Sequence, residues 1–364
     1  MSRWFFIEAN DVLMFRDSRP FQAGQHFTAR STFPPNPRTM QGIVRTHILE
    51  TQGVDLAAYG AGRAPQPVLD VVGTPERLGT LRLDGPFVAR WQNGGVERLF
   101  RVPLDVLQPK GSDGARTPVT LRPGGRAGFE TEAPFEGWQP LAVPQGDTGY
   151  EEVSGWLTED SFKAYLRGDP ITEVIDDGEV FMREVHVGLG IDYSRRGAQE
   201  GRFYHAEFVR LVKRPEWTTG LLVGIDHDGG LFPERGAMII GGESRPVTYE
   251  EVSVAPLPAP GAGRIRVVLL TPAYFGEGWR PRSGEWAPWV GGGRLVSVAL
   301  GKPERISGWN LARGAPRPLR HFVPAGSVYY FEGASWQGQP FTEAPDDDPD
   351  YAAMGFGAVA IGAW

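Results

Sequence analysis

Cationic side chains are concentrated near the start of the chain, in residues 11–50 (DVLMFRDSRPFQAGQHFTARSTFPPNPRTMQGIVRTHILE). This stretch contains five arginines, two histidines and three acidic residues, whereas the whole chain has a formal net charge of −7. Basic side chains with glycine and aromatic residues, on a loop that leads into a helix N-terminus, can hold a polyanion. The candidates for this role are Arg16, Arg19, Gly24, His26, Arg30, Arg38 and Arg45. The alternative is a solvated loop whose arginines pair with local carboxylates such as Asp17.

A strand and a helix must position these residues. Residues 3–9 (RWFFIEA) are nearly continuously apolar, which predicts a central strand. Residues 11–37 form a long, proline-rich loop, and an ordered loop of this length in a compact domain is usually functional. Asn36 and Pro37 then predict the start of a helix that ends at Gly53 and has one amphipathic face. Arg38 and Arg45 are seven residues apart and are expected on one side of it.

A second basic feature is a predicted hairpin of two strands, residues 179–192 and 202–213. From Arg183 to Arg214 there are seven basic and four acidic residues, a local net charge of +3. Glycines within a strand indicate bulges, or places where the backbone approaches a ligand closely. The candidate residues are Gly188 and Gly190 in the first strand and Tyr193, Arg195 and Arg196 at the tip.

Composition excludes several classes of protein. The chain has no cysteine, so a disulfide framework, thiolate metal sites and a cysteine nucleophile are excluded. Its 49 glycines and 32 prolines predict many turns and a sheet-dominated fold. The N-terminus lacks the pattern of a signal peptide, and no apolar run approaches the ~18 residues of a membrane span. We therefore expect a soluble, cytoplasmic protein with no membrane partner.

The order of predicted elements indicates the domain organisation. Residues 1–253 follow the order β-α-β-β-(β)-α-β, which predicts a ferredoxin-like unit with an expanded middle. The insertion, at about 54–179, lies between the helix and the second strand. The acid-rich part of the insertion is expected to be a solvated face, the alternative being a docking surface for a basic partner. Residues 254–263 (VAPLPAPGAG) have the composition of a linker. Residues 264–364 predict a second, smaller α+β unit.

Six sequence blocks carry a family resemblance. They are FRDSRPFQAGQHFTARSTFPPNPRTMQGIVR (15–45), HVGLGIDYSRRGAQEGRFYHAEFVRL (186–211), IIGGESRPV (239–247), LLTPAYFGEGW (269–279), ISGWNLARGAPRPLRHFVPAGSVYYFE (306–332) and MGFGAVAIG (354–362). In these blocks the chain resembles the RAMP-superfamily subunit of type III-B CRISPR effector (Cmr) complexes that caps the crRNA 5′ end. Only residues 54–178 have no clear counterpart.

The resemblance implies an α+β fold of two tandem ferredoxin-like (RRM-like) domains, with a β-rich insertion in the first. It implies a non-catalytic subunit, without cofactor or metal, that binds the 5′ handle of crRNA. The implied partners are this crRNA, target RNA near the handle, the large polymerase-palm (cyclase-type) subunit and a backbone RAMP subunit. The tip at 193–201 is the candidate for the family's thumb, which separates the handle from the guide–target duplex, the alternative being an ordinary hairpin loop. Arg245 and the glycine-rich loop Gly355, Phe356 and Gly357 join the RNA-binding candidates, the loop alternatively being a tight turn.

Two other functions remain open. One is a metal-independent endoribonuclease of the same superfamily that processes repeat RNA, with a histidine such as His26 as base. His186 and His205 lie on facing strands and are candidates for an acid–base pair, although two core or edge histidines are the simpler interpretation. The other is a carbohydrate-binding protein, for which the chain offers four tryptophans: Trp279, Trp286, Trp289 and Trp309.

Overall fold

The structure is a computed structural model. It describes residues 2–17, 28–110, 117–124, 135–143, 149–192, 194–259, 262–310, 314–347 and 350–364, with the backbone alone for 198–202. The chain forms two compact units. The first unit consists of Met1–Val96, Gly178–Ser253 and Arg305–Arg320. The second consists of Glu97–Asp177, Val254–Glu304 and His321–Trp364.

Strands dominate the described residues. The strands up to residue 192 are β1 (Arg3–Ala9), β2 (Thr28–Ala29), β3 (Arg82–Gln92), β4 (Gly95–Arg101), β5 (Val106–Pro109), β6 (Val119–Thr120), β7 (Arg122–Pro123), β8 (Leu141–Ala142), β9 (Tyr150–Glu152), β10 (Trp156–Leu157) and β11 (Phe181–Asp192). The later strands are β12 (Gly197–Leu211), β13 (Trp217–Asp226), β14 (Arg235–Ile240), β15 (Arg245–Val252), β16 (Ala262–Leu269), β17 (Arg294–Ala299), β18 (Glu304–Ile306), β19 (Trp309–Asn310), β20 (Ala315–Pro316), β21 (Arg320–Phe322), β22 (Val328–Ser335) and β23 (Val359–Ala363).

Helices are few and mostly short. The α-helices are α1 (Pro37–Thr51), α2 (Leu56–Gly60), α3 (Gln66–Val72), α4 (Glu159–Arg167) and α5 (Ala287–Val290). Single 3-10 turns lie at Asp177–Glu179, Gly242–Ser244 and Ala352–Met354. Within the described part of the chain, no helix is long and apolar enough to cross a membrane.

The first unit is built on an antiparallel sheet in which five strands follow the order β3-β13-β1-β15-β14. Strand β1 lies between β13 and β15, and Phe5, Phe6 and Ile7 are buried. The prediction of a central strand at residues 3–9 is therefore confirmed. Its near-continuous apolar sequence fits this position because both faces of a central strand are covered.

Helix α1 also matches its prediction. The Asn36 side chain accepts a hydrogen bond from the Thr39 amide at 3.0 Å, and Pro37 occupies the first turn. The fully buried side chains of Met40, Val44 and Ile48 form the apolar face. Each contributes about 1.5–3 kcal/mol by its burial.

A separate three-stranded sheet holds the predicted hairpin, with β11 antiparallel to β12 and β12 parallel to β2. Strand β12 extends from Gly197 to Leu211, so pairing begins closer to the tip than predicted. We call the β11–β12 pair the ribbon. At its base, Phe208 and Ala206 are buried with Val12, Met14 and Ala29.

The second unit contains an antiparallel sheet in the order β17-β22-β16-β23. One of its two hydrophobic clusters is aromatic and includes Trp286, Trp289, Tyr329 and Phe341. The other cluster joins Phe100, Phe162, Leu157 and neighbouring residues to side chains of this sheet. Residues 97–177 therefore share a core with the C-terminal strands, whereas the predicted boundaries placed them in an insertion of the first domain. The tandem ferredoxin-like description of the two units stays a prediction.

Candidate nucleic-acid interface

The two arginines Arg16 and Arg30 lie at the base of the predicted binding loop. Residues 15–17 run antiparallel to residues 30–32, with a bridge between Arg16 and Ser31. The Asp17 amide donates to the Arg30 carbonyl at 3.0 Å, and the Thr32 amide to the Phe15 carbonyl at 2.8 Å. Phe15 is buried, whereas Arg16 and Arg30 are exposed. The backbone is thus fixed by the sheet pairing while both guanidinium side chains reach solvent.

This strand pair is tied to the ribbon. Arg183 Nη1 donates to the Ser31 carbonyl at 2.7 Å and forms a very short ion pair with Glu207 Oε1. Glu207 Oε1 in turn accepts a hydrogen bond from the Ser31 amide at 3.2 Å. Two basic features that are far apart in sequence, residues 11–50 and 183–214, therefore form one braced surface. Neither Arg183 nor Glu207 was predicted to contribute, because strand register cannot be read from residue spacing.

The ribbon tip presents two more cations. Asp192 Oδ1 accepts hydrogen bonds from the Ser194 hydroxyl at 2.6 Å, the Ser194 amide at 2.9 Å and the Arg195 amide at 3.2 Å. These donors, the Ser194 hydroxyl first, hold the pKa of Asp192 below its usual range. The Arg195 side chain is 88% exposed, and Arg196 adopts a positive φ of 51° in the exposed turn. The tip is thus an ordered turn with two accessible guanidinium groups.

Arg45 has a different environment from Arg16. Its Nη2 donates to the Thr74 carbonyl at 2.7 Å and makes a very short bond to the Tyr59 hydroxyl. Burial lowers the pKa of Arg45 below its ordinary value. This side chain connects α1 to the segments around α2 and α3, which is a structural role. Arg38, on the same helix, is half-buried beside Gly308.

Arg245 also takes part in a network of ion pairs. It lies 3.0 Å from Glu243 and 3.8 Å from Asp11, with its guanidinium 4.7 Å from the centre of the Phe208 ring. Asp11 additionally pairs with Arg210 at 3.1 Å. These carboxylates offset the positive charge of Arg245, so its contribution to an anion-binding surface is reduced.

The two candidate glycines of the ribbon, Gly188 and Gly190, have local structural explanations. A Cβ on Gly188 would lie 2.1 Å from Tyr204 Cζ, because the tyrosine ring crosses the glycine on the neighbouring strand. Gly190 lies where the register shifts between Leu189 and Ile191. Both positions therefore have a reason to be glycine that does not involve a ligand.

The glycine-rich loop near the C-terminus lies in the core of the second unit. Phe356 is fully buried and stacks on Phe322 with a centroid distance of 4.8 Å. Gly355 has a φ of 98°, and Gly357 has a φ of 70°. A Cβ on Gly357 would lie 2.8 Å from the backbone of Phe341. Of the two interpretations of this loop, the contacts support a tight turn.

The histidines of the ribbon do not form a pair. His186 lies opposite Ala206, and His205 lies opposite Val187, so the two imidazoles project from opposite faces. His186 is 3.5 Å from Glu184, and His205 contacts the Phe203 ring. The proposed acid–base pair is therefore wrong. The remaining candidates Arg19, Gly24, His26 and Tyr193 lie outside the described residues.

Exposed apolar side chains were not predicted on the ribbon. Four aliphatic residues of β11 on one face are 54–59% exposed: Val185, Val187, Leu189 and Ile191. We call them the aliphatic stripe. Their alternation with polar residues and glycine was a correct signal for a strand, but the same alternation normally indicates a buried face.

The four tryptophans are also divided by the structure. Trp286 and Trp289 belong to the aromatic core, and Trp279 packs against that core. Trp309 is 59% exposed. A sugar platform made of all four side chains is therefore excluded, because two of the rings are buried.

Comparison with known proteins gives one family and a shared fold. The family model described as CRISPR-associated protein (Cas_Cmr3) matches residues 5–364. The fold resembles a chain in a cryo-EM structure of type III-B Cmr-beta bound to cognate target RNA and AMPPnP, with a TM-score of 0.51 and 15% identity, over 90% of this chain and 86% of that chain. A cryo-EM structure of type III-B Cmr-beta bound to cognate target RNA gives a TM-score of 0.50 and 16% identity over the same shares. No curated protein matches the chain.

Proposed function

The chain belongs to the Cas_Cmr3 family of CRISPR-associated proteins, and from this premise we propose that it binds the 5′ handle of crRNA within a type III-B effector complex. The family assignment and the fold shared with chains of Cmr-beta complexes support the type III-B complex as its setting. The handle-binding role is the finer part of the proposal and rests on the site.

One observation carries the proposal. Exposed Arg16 and Arg30 sit at the base of a basic loop, and the Arg183–Ser31–Glu207 contacts brace that base against a ribbon with a cationic tip. Binding a single RNA strand requires cations that contact its phosphates. It also requires a protein backbone that holds these cations in fixed positions. The ribbon and the loop base provide both. The chain as a whole is acidic, but salt screens distant charges, so the electrostatic field at a bound phosphate is set by the charges near it.

The partners follow from the same proposal. We propose that the subunit contacts target RNA near the handle and bridges the large polymerase-palm (cyclase-type) subunit to a backbone RAMP subunit. We also propose that it is non-catalytic and that its role is positional, since Arg16, Arg30, Arg195 and Arg196 are permanently charged and suit phosphate binding better than proton transfer.

The proposal is tested by removing the two loop-base cations together. We expect the double variant Arg16→Glu/Arg30→Glu to bind handle-containing RNA at least tenfold more weakly than the wild-type chain. Each lost phosphate contact should reduce the slope of log K against log salt by ~0.7 for single-stranded RNA, so two contacts reduce it by about 1.4. Fluorescence anisotropy with labelled RNA across a salt series measures both quantities.

The matched control is Arg63→Glu, which changes an exposed arginine in the turn after α2. It should leave both the affinity and the salt slope unchanged. In the assembled complex, the handle should crosslink to this subunit through the loop base. Unchanged binding by the double variant, or handle crosslinks to other subunits alone, would contradict the proposal.

A further inference from the structure

A short ribbon within residues 305–310 and 314–320 forms a further cationic feature of the first unit. Strands β19 and β20 pair through Trp309–Pro316 and Asn310–Ala315. The Arg317 amide donates to the Gly308 carbonyl at 2.8 Å, and the Ser307 hydroxyl donates to the Arg317 carbonyl at 2.7 Å. Residues 305–320 contain four arginines and no acidic residue. We call this segment the arginine ribbon.

One face of the arginine ribbon lies beside helix α1. A Cβ on Gly308 would lie 2.7 Å from Arg38 Cδ and 3.7 Å from Arg317 Cδ. The Arg38 stem therefore crosses Gly308, and a side chain at this position would displace it, whereas the Arg317 stem is at ordinary van der Waals distance. The glycine allows a cation of helix α1 and a cation of the arginine ribbon to lie together.

The adjacent residue, Trp309, projects from the opposite face because side chains alternate along a strand. Its ring is 59% exposed, whereas Trp286 and Trp289 are buried at 9% and 6% exposure. Trp309 thus presents a flat aromatic surface on a segment whose charged side chains are all arginines.

We propose that Trp309 is a stacking platform for a base of single-stranded RNA, on a segment whose charged side chains are all arginines. This inference rests on the proposed RNA-binding function and adds to it a contact outside the loop base and the β11–β12 ribbon. An exposed aromatic side chain with neighbouring arginines is the combination that holds single strands without reading their sequence. The absence of carboxylates from residues 305–320 favours RNA over an ordinary protein partner, whose interface would mix both charges.

This inference is tested by substitutions that distinguish an aromatic ring at position 309 from an aliphatic side chain of the same apolar character. Binding of oligouridine and of handle-containing RNA is measured by anisotropy for Trp309→Phe, Trp309→Leu and Trp309→Ala. Stacking predicts that Phe stays within about threefold of the wild type, while Leu and Ala both weaken binding about tenfold. The wild-type tryptophan fluorescence should be quenched by oligouridine, and this quenching should decrease in Trp309→Phe.

The control is Leu319→Ala, which truncates an exposed apolar residue of the same ribbon (51% exposed) and should not change RNA affinity. The inference is overturned if Trp309→Ala binds both RNAs like the wild type, or if Leu restores binding as well as Phe. It is also overturned if Trp309→Ala keeps RNA affinity but fails to assemble with the other subunits, which would indicate a protein contact.

The two proposals fail in distinguishable ways. If Arg16→Glu/Arg30→Glu weakens handle binding and the Trp309 variants do not, the stacking inference is wrong and the handle-binding proposal stands. If the Trp309 variants weaken oligouridine binding while handle-containing RNA has no advantage over a scrambled RNA, the stacking platform stands and handle recognition is wrong.

Discussion

His47, the second histidine of the basic stretch 11–50, is a core residue. Its ring is 7% exposed, and its Nε2 lies 2.7 Å from the Tyr249 hydroxyl. The ring also makes edge contacts with Phe232 and Tyr249. Burial lowers the pKa of His47 from its ordinary value of 6.5, against a weaker opposing effect of Glu50. The imidazole is therefore neutral in the folded protein at neutral pH.

This burial predicts a pH dependence of stability. Because the folded-state pKa is lowered, the unfolded chain binds more protons below about pH 6.5, and the free energy of unfolding falls as the pH decreases through that value. One titrating group contributes at most about 1.4 kcal/mol per pH unit. Thermal unfolding between about pH 5 and 8 should show a shallower slope for His47→Gln than for the wild type.

The control for this slope is Ile48→Val, which changes a buried side chain of the same helix face that does not titrate. It should lower the free energy of unfolding by about 0.5–1.5 kcal/mol at every pH and leave the slope unchanged. Equal slopes for His47→Gln and the wild-type chain would show that His47 is not responsible.

Arg45 predicts a separation between stability and binding. Removing its guanidinium leaves the Tyr59 hydroxyl and the Thr74 carbonyl without this donor. We expect Arg45→Met to lower the free energy of unfolding by about 1–3 kcal/mol. Its affinity for handle-containing RNA, measured on the folded fraction, should match that of the wild type. A tenfold loss of affinity without destabilisation would contradict the structural role and indicate that Arg45 contacts RNA.

At this scale the sequence identified residue types better than their environments. The helix that contains Arg38 and Arg45 was predicted correctly, but the partners of Arg45 are Tyr59 and Thr74, outside that helix. Nothing in the spacing of α1 indicates which side α2 and α3 cover. Accessibility is a property of the tertiary structure, so the spacing of residues could not distinguish exposed Arg16 from half-buried Arg45.

At the scale of the element, the ribbon contains a glycine–aromatic pair that can be tested by itself. Gly188→Ala should push the Tyr204 ring from its position, whereas the same change in a Tyr204→Ala background meets no ring. We expect a coupling energy of about 0.5–3 kcal/mol between the two positions in unfolding measurements.

The RNA affinities of the same variants distinguish packing from ligand approach. If contact with the Tyr204 ring is the reason for a glycine at position 188, Gly188→Ala should not weaken RNA binding in the Tyr204→Ala background. A loss of affinity that persists in this background would mean that the backbone at Gly188 does contact RNA.

Elements with strong local signals were predictable, and their partners were not. Asn36 and Pro37 fixed the start of α1 because a cap and a proline act locally. The ribbon strands were recognisable from their alternating residues. Their register was not, and this is why an acid–base pair of His186 and His205 stayed open as an alternative and why the Arg183–Glu207 brace was missed.

At the scale of the whole molecule, a buried polar cluster connects residues 97–177 to the C-terminal strands of the second unit. Asp105 is fully buried, accepts a hydrogen bond from Tyr165 at 2.8 Å and lies 3.8 Å from Arg266, which is 2% exposed. Tyr330 makes a very short bond to the same carboxylate. Burial raises the pKa of Asp105, and Arg266 acts against that increase. A single aspartate among the many acids of the predicted insertion gives no sequence signal of this role.

The cluster predicts a large difference between two neighbouring arginines. Arg266→Met leaves the Asp105 carboxylate without its cation and should lower the free energy of unfolding by about 3–5 kcal/mol. Arg264 is 65% exposed and pairs with Glu332 at the surface, so Arg264→Met should change it by less than about 1 kcal/mol. Chemical denaturation measures both, and similar small effects would show that Arg266 is dispensable.

The aliphatic stripe has a consequence for how the purified chain behaves in salt. Ions that screen phosphates weaken RNA contacts, whereas strongly hydrated anions such as sulfate promote the association of apolar surfaces. Four aliphatic side chains at 54–59% exposure should therefore make the chain self-associate in sulfate at concentrations where chloride keeps it monomeric. Light scattering should detect this self-association, and the double variant Val187→Thr/Leu189→Thr should reduce it. Added salt thus weakens RNA binding and, when the anion is sulfate, strengthens self-association of the chain. The choice of anion decides which of these two effects dominates a measurement.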